Sequence, residues 1–171
     1  MNKHDAKTAD AVLKEFDKES DTMEYTGVMK KVVAFIAICF SIFQLYTATF
    51  GVLDAQLQRG VHLSFGLALV FLLYPTRKSW SRHKLHPVDL GLAVLGAAAP
   101  AYILIEYKEL VMRSGITTPM DFAVGLVGVL LVIEATRRVV GLPMLCVVLL
   151  FLVYAFAGPY MPGIMAHRGV T

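Results

Sequence analysis

From Val32 onward the chain lacks the charged faces that a helix in water needs. Five apolar runs, at about residues 32–53, 58–75, 88–105, 119–136 and 142–157, are separated by short segments that carry most of the charge. A surface helix of a soluble domain keeps a polar side opposite its apolar stripe. These runs are apolar all round. About 20 such residues, rising 1.5 Å each, cross a hydrocarbon core of roughly 30 Å. The expected fold is therefore an all-α integral membrane protein of about five transmembrane helices, with the lipid bilayer as its solvent. A soluble enzyme is excluded, because only 17% of the 171 residues are charged and seven of the thirteen acids lie in the first 24 positions.

The chain thus divides into a charged tail at 1–29 and a helical membrane domain at 30–171. In the tail, Val12, Leu13 and Phe16 share one helical face among charged neighbours, and the segment reads as a solvated cytoplasmic extension. A polar stretch of this length ahead of the first apolar run is not a cleavable signal peptide, so the first span is expected to direct insertion. Orientation follows from counting Lys and Arg by side. Twelve lie on the side of the N-terminus, including Lys30, Lys31, Arg77, Lys78, Arg82, Lys84, Arg137 and Arg138. Four, Arg59, Lys108, Arg113 and Arg168, lie on the other. The N-terminus is expected in the cytoplasm and the C-terminus outside. These basic residues form no stripe with interleaved aromatics, so no nucleic-acid partner is expected.

Local signals mark the span edges. Pro87 suits a first helical turn and Asp89 follows it at the positive end of the helix dipole. Thr118-Pro119-Met120-Asp121 has the spacing of a capping box with proline at the first helical position. Gly91, Gly96 and Ala97 to Ala99 permit close approach of a neighbouring helix, Gly125 and Gly128 read as packing residues, and Pro100 is expected to kink the third span. Gly158-Pro159 and Pro162-Gly163 break the fifth.

An ionisable group deep in a bilayer is a functional candidate, so depth decides how each one is read. Asp54, Asp89, Glu106 and Asp121 fall at span ends, where water and headgroups are expected to solvate them. Glu134 is deepest, but Arg137 and Arg138 follow at three and four residues on the same helix face, which suits a structural ion pair better than a proton relay. His62 and His167 both map to the outer side, and two facing histidines could hold a haem; their position at span edges fits polar interface residues better. His83 and His86 sit among basic residues and make a poor metal site. Cys39 and Cys146 lie inside apolar runs and imply neither a disulfide framework nor a metal.

The run Phe40-Ser-Ile-Phe-Gln-Leu-Tyr-Thr-Ala48, then Gln58-Arg59-Gly-Val-His62-Leu63 and Phe71-Leu-Leu-Tyr74-Pro75, resembles the N-terminal region of the fused permease of tripartite ATP-independent periplasmic (TRAP) transporters of the TAXI type. Further similarity lies in Asp121, Glu134-Ala-Thr-Arg137-Arg138, Tyr154-Ala155, Gly158-Pro-Tyr-Met-Pro162-Gly163 and His167, and in Phe16-Asp-Lys-Glu-Ser20 of the tail. The resemblance implies the small, Q-type scaffold portion of a secondary transporter in a bacterial inner membrane. It implies a large elevator-type domain, absent from this sequence, that would carry the solute site and the coupling ion, with sodium expected. No cofactor is expected in this chain. A periplasmic TAXI-type binding protein would deliver a carboxylate-bearing solute, and Arg59, His62 and His167 are the candidate docking residues. The alternatives are a membrane anchor subunit of a redox enzyme and a truncated, non-functional permease.

Overall fold

The computed structural model describes residues 22–51, 53–77 and 82–169. Among these there is no strand, and five helices are long and apolar enough to cross a membrane, the build of a multi-pass membrane protein. They are α1 (Gly27–Phe50), α2 (Ala55–Leu73), α3 (Pro87–Ile105), α5 (Pro119–Val139) and α6 (Leu142–Ala157), with a six-residue α4 (Tyr107–Met112) between α3 and α5. Two 3-10 turns, Gly158–Tyr160 and Gly163–Met165, follow α6.

The helix ends obey local chemistry. Asp54 accepts from the Gln56 N–H at 3.1 Å and starts α2, and a hydrogen bond from the Tyr107 side chain, together with that N–H, holds its carboxyl below the usual carboxylate range. The Thr118 hydroxyl and the Asp121 carboxylate cap each other's backbone in a complete capping box at the start of α5. Only Val140 and Gly141 separate α5 from α6. Gly141 takes φ +97°, a conformation that other L residues rarely adopt, and this permits so short a reversal. α1 starts at Gly27, earlier than the apolar run alone indicates, and stops at Phe50 before Gly51 with φ +118°. α2 reaches 19 residues by starting at Ala55. α3 continues through Pro100 to Ile105 without interruption.

Helices in lipid gain little from burying apolar surface against one another, so close packing at small residues has to hold them. α2 and α3 form the tightest pair. A Cβ at Gly96 of α3 would stand 2.9 Å from Leu67 Cβ and 3.1 Å from the Phe71 ring of α2, and one at Gly60 of α2 would stand 3.4 Å from the Pro100 carbonyl of α3. Each helix of this antiparallel hairpin thus yields a glycine to the other. α1 lies on α2 through stacked Phe40 and Phe65, 5.5 Å between centroids, and through His62, which contacts both Phe40 and Gln44. α5 packs on α2 and α3, while α6 buries no residue fully. The remaining apolar faces, Phe35, Ile42 and Leu45 of α1 or Leu150 and Phe151 of α6 among them, stay exposed for lipid or a partner.

One expectation about the tail is corrected. Its first 21 residues, with Val12, Leu13 and Phe16, lie outside the described residues, but its end is a packed strap. Met23 and Tyr25 are buried. The Met23 N–H donates to the Leu73 carbonyl at 2.7 Å, the Glu24 N–H to the Arg82 carbonyl at 2.9 Å, and the Tyr25 hydroxyl to the Leu72 carbonyl at 2.6 Å. Burial, with the Asp89 charge nearby, pushes the Tyr25 phenol up to about 12, so it remains a donor at any physiological pH. The strap uses backbone groups that the end of α2 leaves without helical partners.

Candidate functional site

The ion pairs of the bundle gather at its two ends. At the basic end, α2 stops at Leu73, α3 starts at Pro87 and α5 finishes with Arg137 and Arg138 in its last turn. Arg138 extends across this junction. Its Nε donates to Glu134 at 2.8 Å, one terminal nitrogen donates to Asp89 Oδ1 and to the Tyr74 carbonyl, both at 2.8 Å, and the other donates to Thr76 Oγ1 at 2.7 Å. The Thr76 hydroxyl donates in turn to Asp89 Oδ1 at 2.5 Å. The side chains of Arg138 and Asp89 are each 1% exposed, and the guanidinium lies 4.8 Å from the Phe71 ring centroid. Glu134 also takes two hydrogen bonds from Arg137, at 2.7 Å each.

Asp89 lies at a helix end as expected, but this arrangement corrects the reading of it as solvated. Asp89 is sealed by the C-terminal turn of α5, which arrives over the N-terminus of α3, and both helix dipoles favour the charge placed there. Asp89 Oδ2 is buried and takes no hydrogen bond. Arg137 and Arg138 both contact Glu134, but Arg138 belongs to a larger constellation that ties three helix ends together. Arginine suits this role because its planar fork addresses several acceptors at once.

The opposite end holds a second cluster. Asp121 accepts from the Tyr102 hydroxyl at 2.7 Å, from Arg113 at 2.7 and 3.2 Å, and from the Thr118 N–H and hydroxyl at 2.8 Å each. It too is occupied by the chain's own groups. Beside it a recess of about 450 Å³ is lined by Arg59, Arg113, Ser114 and Thr117 among others. An apolar groove of about 460 Å³ continues from this recess between α3, α5 and α6, past Pro100, Val124, Gly128, Val132 and Leu152. Gly125 and Gly128 line it with nothing within 4 Å of where their Cβ atoms would be, so the packing they were expected to provide is not made within the described chain.

The three docking candidates are placed differently. Arg59 and His62 are exposed and line a common recess with Gln44 and Gln58. His167 instead folds back over the end of α6. Its N–H donates to the Gly158 carbonyl at 3.1 Å, its ring contacts the Tyr154 carbonyl and accepts from the Gly169 N–H at 3.1 Å, and the ring packs edge-on against Tyr154. The ring leaves no room for a Cβ at Gly158. His62 is thus engaged with α1 and His167 with α6. No group of three or more metal-ligating side chains occurs among the described residues. The Asp89–Arg138 and Asp121–Arg113 pairs escaped sequence reasoning; the one usable signal was that each span-end acid has a span-end arginine on the same side.

No family model, curated protein or solved structure matches the chain.

Proposed function

We propose that the chain is the scaffold portion of a TRAP-type secondary transporter, which holds a separate elevator-type domain in a bacterial inner membrane while a periplasmic binding protein supplies a carboxylate-bearing solute. Its N-terminus faces the cytoplasm and its C-terminus the periplasm. The sequence resemblance suggests the class. The observation that carries the scaffold role is the distribution of polar groups. Both charged clusters sit at helix ends and pair the chain's own acids with its own arginines, while the helix middles carry no formal charge, as in the stretch from Val124 to Ile133. A carboxylate at mid-depth would find no partner there for its desolvated charge. A frame needs the opposite properties: helix ends fixed relative to one another, as Arg138 fixes them, and apolar faces open to lipid and partner. Arg59 and His62, in the exposed recess, are the residues proposed to meet the binding protein. Sodium, as the proposed coupling ion, would bind the large domain.

Two results are expected. Proteoliposomes holding this chain alone, given a sodium gradient, a carboxylate solute and its binding protein, should take up no more than empty vesicles. Saturable uptake would refute the scaffold role, since it requires a solute site within these five spans. Reporter fusions at Ser79 should read as cytoplasmic and at Lys108 as periplasmic, because basic residues crowd the segment between α2 and α3. The inverted pattern would overturn the orientation.

A further inference from the structure

The recess at the Arg59 end and the apolar groove are one continuous surface. Leu63, Ile103, Leu110 and Asp121 line both. On α5 the groove follows Asp121, Val124, Gly125, Gly128, Val132 and Ile133, a single helical face. From Asp121 to Ile133 that face rises about 18 Å at 1.5 Å per residue. One leaflet of hydrocarbon is about 15 Å deep, half of a 30 Å core. The groove therefore starts at a helix end and runs inward for about one leaflet. Its wall is apolar throughout this length, and its mouth carries charge.

The mouth is positive. Arg59 has no acidic partner among the described residues, and the Asp121 carboxylate balances Arg113 alone. Arg113 also has its Nε buried with no acceptor, although its terminal nitrogens are satisfied. Ser114 and Thr117 add hydroxyls to the same recess. A group with several acceptor oxygens and a negative charge would meet Arg59, the exposed and unbalanced cation of the recess. An acyl chain suits the rest of the groove, since it needs no hydrogen bonds and can lie against the bare backbone at Gly125 and Gly128.

We propose that this surface binds one phospholipid with a net negative headgroup, such as a phosphatidylglycerol. Its phosphodiester sits in the recess against Arg59, and one of its acyl chains lies along the groove between α3, α5 and α6. The dimensions favour such a lipid over a transmembrane helix, since an apolar groove of about 18 Å with a charged mouth matches a headgroup joined to an acyl chain, whereas a spanning helix needs about 30 Å of apolar contact. The inference does not depend on the transporter reading, under which Arg59 would be shared between the lipid phosphate and the binding protein.

Native mass spectrometry of the full chain, released from nanodiscs of equal parts phosphatidylglycerol and phosphatidylcholine with matched acyl chains, tests it. The chain should retain one lipid and prefer the anionic one. Arg59→Ala should reduce that preference about fivefold, the effect of roughly one basic residue at headgroup level. Arg59 is exposed, so the helix content should not change. Gly128→Leu, which meets open space and fills the groove, should lower retention of both lipids. Excess inorganic phosphate should not displace the bound lipid. Equal retention of the two lipids by the unaltered chain would overturn the proposal, as would displacement by phosphate. Retention unaffected by both substitutions would also overturn it, and would leave the groove to a protein helix.

Discussion

Arg138→Met should destabilise this bundle more than any other single side-chain replacement at its basic end. The guanidinium is 1% exposed and makes four hydrogen bonds that join Glu134, Tyr74, Asp89 and Thr76. Methionine fills similar space and supplies none of them. Asp89 would then be a carboxylate sealed from water with only the Thr76 hydroxyl as hydrogen-bond donor, and breaking one side of a buried ion pair costs about 3–5 kcal/mol. For a chain of this size that corresponds to a fall in melting temperature on the order of 10 °C. Arg138→Lys should recover little, because an ammonium cannot span four acceptors in one plane. The double replacement Arg138→Met with Asp89→Leu separates pairing from packing. It should be clearly less costly than the sum of the two single changes, since it removes both charges together. Thermal unfolding in detergent, followed by circular dichroism, would measure all four variants. Additive losses would mean that the pair is not coupled and that the geometry at this end has little energetic weight.

The second large effect is expected at Gly96. A leucine there would place its Cβ 2.9 Å from Leu67 Cβ and 3.1 Å from the Phe71 ring. Leu67 Cβ is fixed to the α2 backbone and cannot rotate away, so the two helices must move apart. Overpacking of this kind costs about 1–3 kcal/mol even where a core can adjust. Here separation would also loosen the contact at Gly60 and move Phe71, which lies against Arg138. The better helix propensity of leucine, about 1 kcal/mol over glycine, offsets only part of this. Gly91→Leu on the same helix is the control, since nothing lies within 4 Å of its Cβ position. The Gly91 variant should match or exceed the parent in resistance to thermal unfolding, while the Gly96 variant should lose cooperativity. Equal behaviour of the two would show that the α2–α3 seam tolerates separation.

The contrast between these glycines marks what was legible in the sequence. Gly91 and Gly96 look alike in the string, as small residues in an apolar run. The bundle gives one of them to lipid and the other to Leu67 and Phe71. Likewise, Asp89 and Asp54 both precede or open an apolar run and read as solvated helix-end acids. One stays exposed and the other is buried under Arg138. Exposure at a helix end depends on which other helix end arrives there, and no local pattern contains that.

What the sequence determined by itself were the properties set by neighbours within a few residues and by the surrounding solvent. The lengths of the apolar runs specified five spanning helices, since every backbone polar group in hydrocarbon must be satisfied within its own helix. Thr118 and Asp121 specified the start of α5, and the i, i+3 and i+4 spacing of Glu134, Arg137 and Arg138 specified their mutual contact. What only the tertiary structure decided were contacts between groups far apart in the chain. Asp89 meets Arg138 across 49 residues, the Tyr25 hydroxyl reaches Leu72 across 47, and the groove with its two arginines is assembled from α2, α3, the segment after α4, α5 and α6. Apolar helices in lipid are nearly interchangeable in hydropathy. Which faces meet is therefore set by shape at the glycines and by the few buried charges that have to find one another, and both are properties of the assembled bundle.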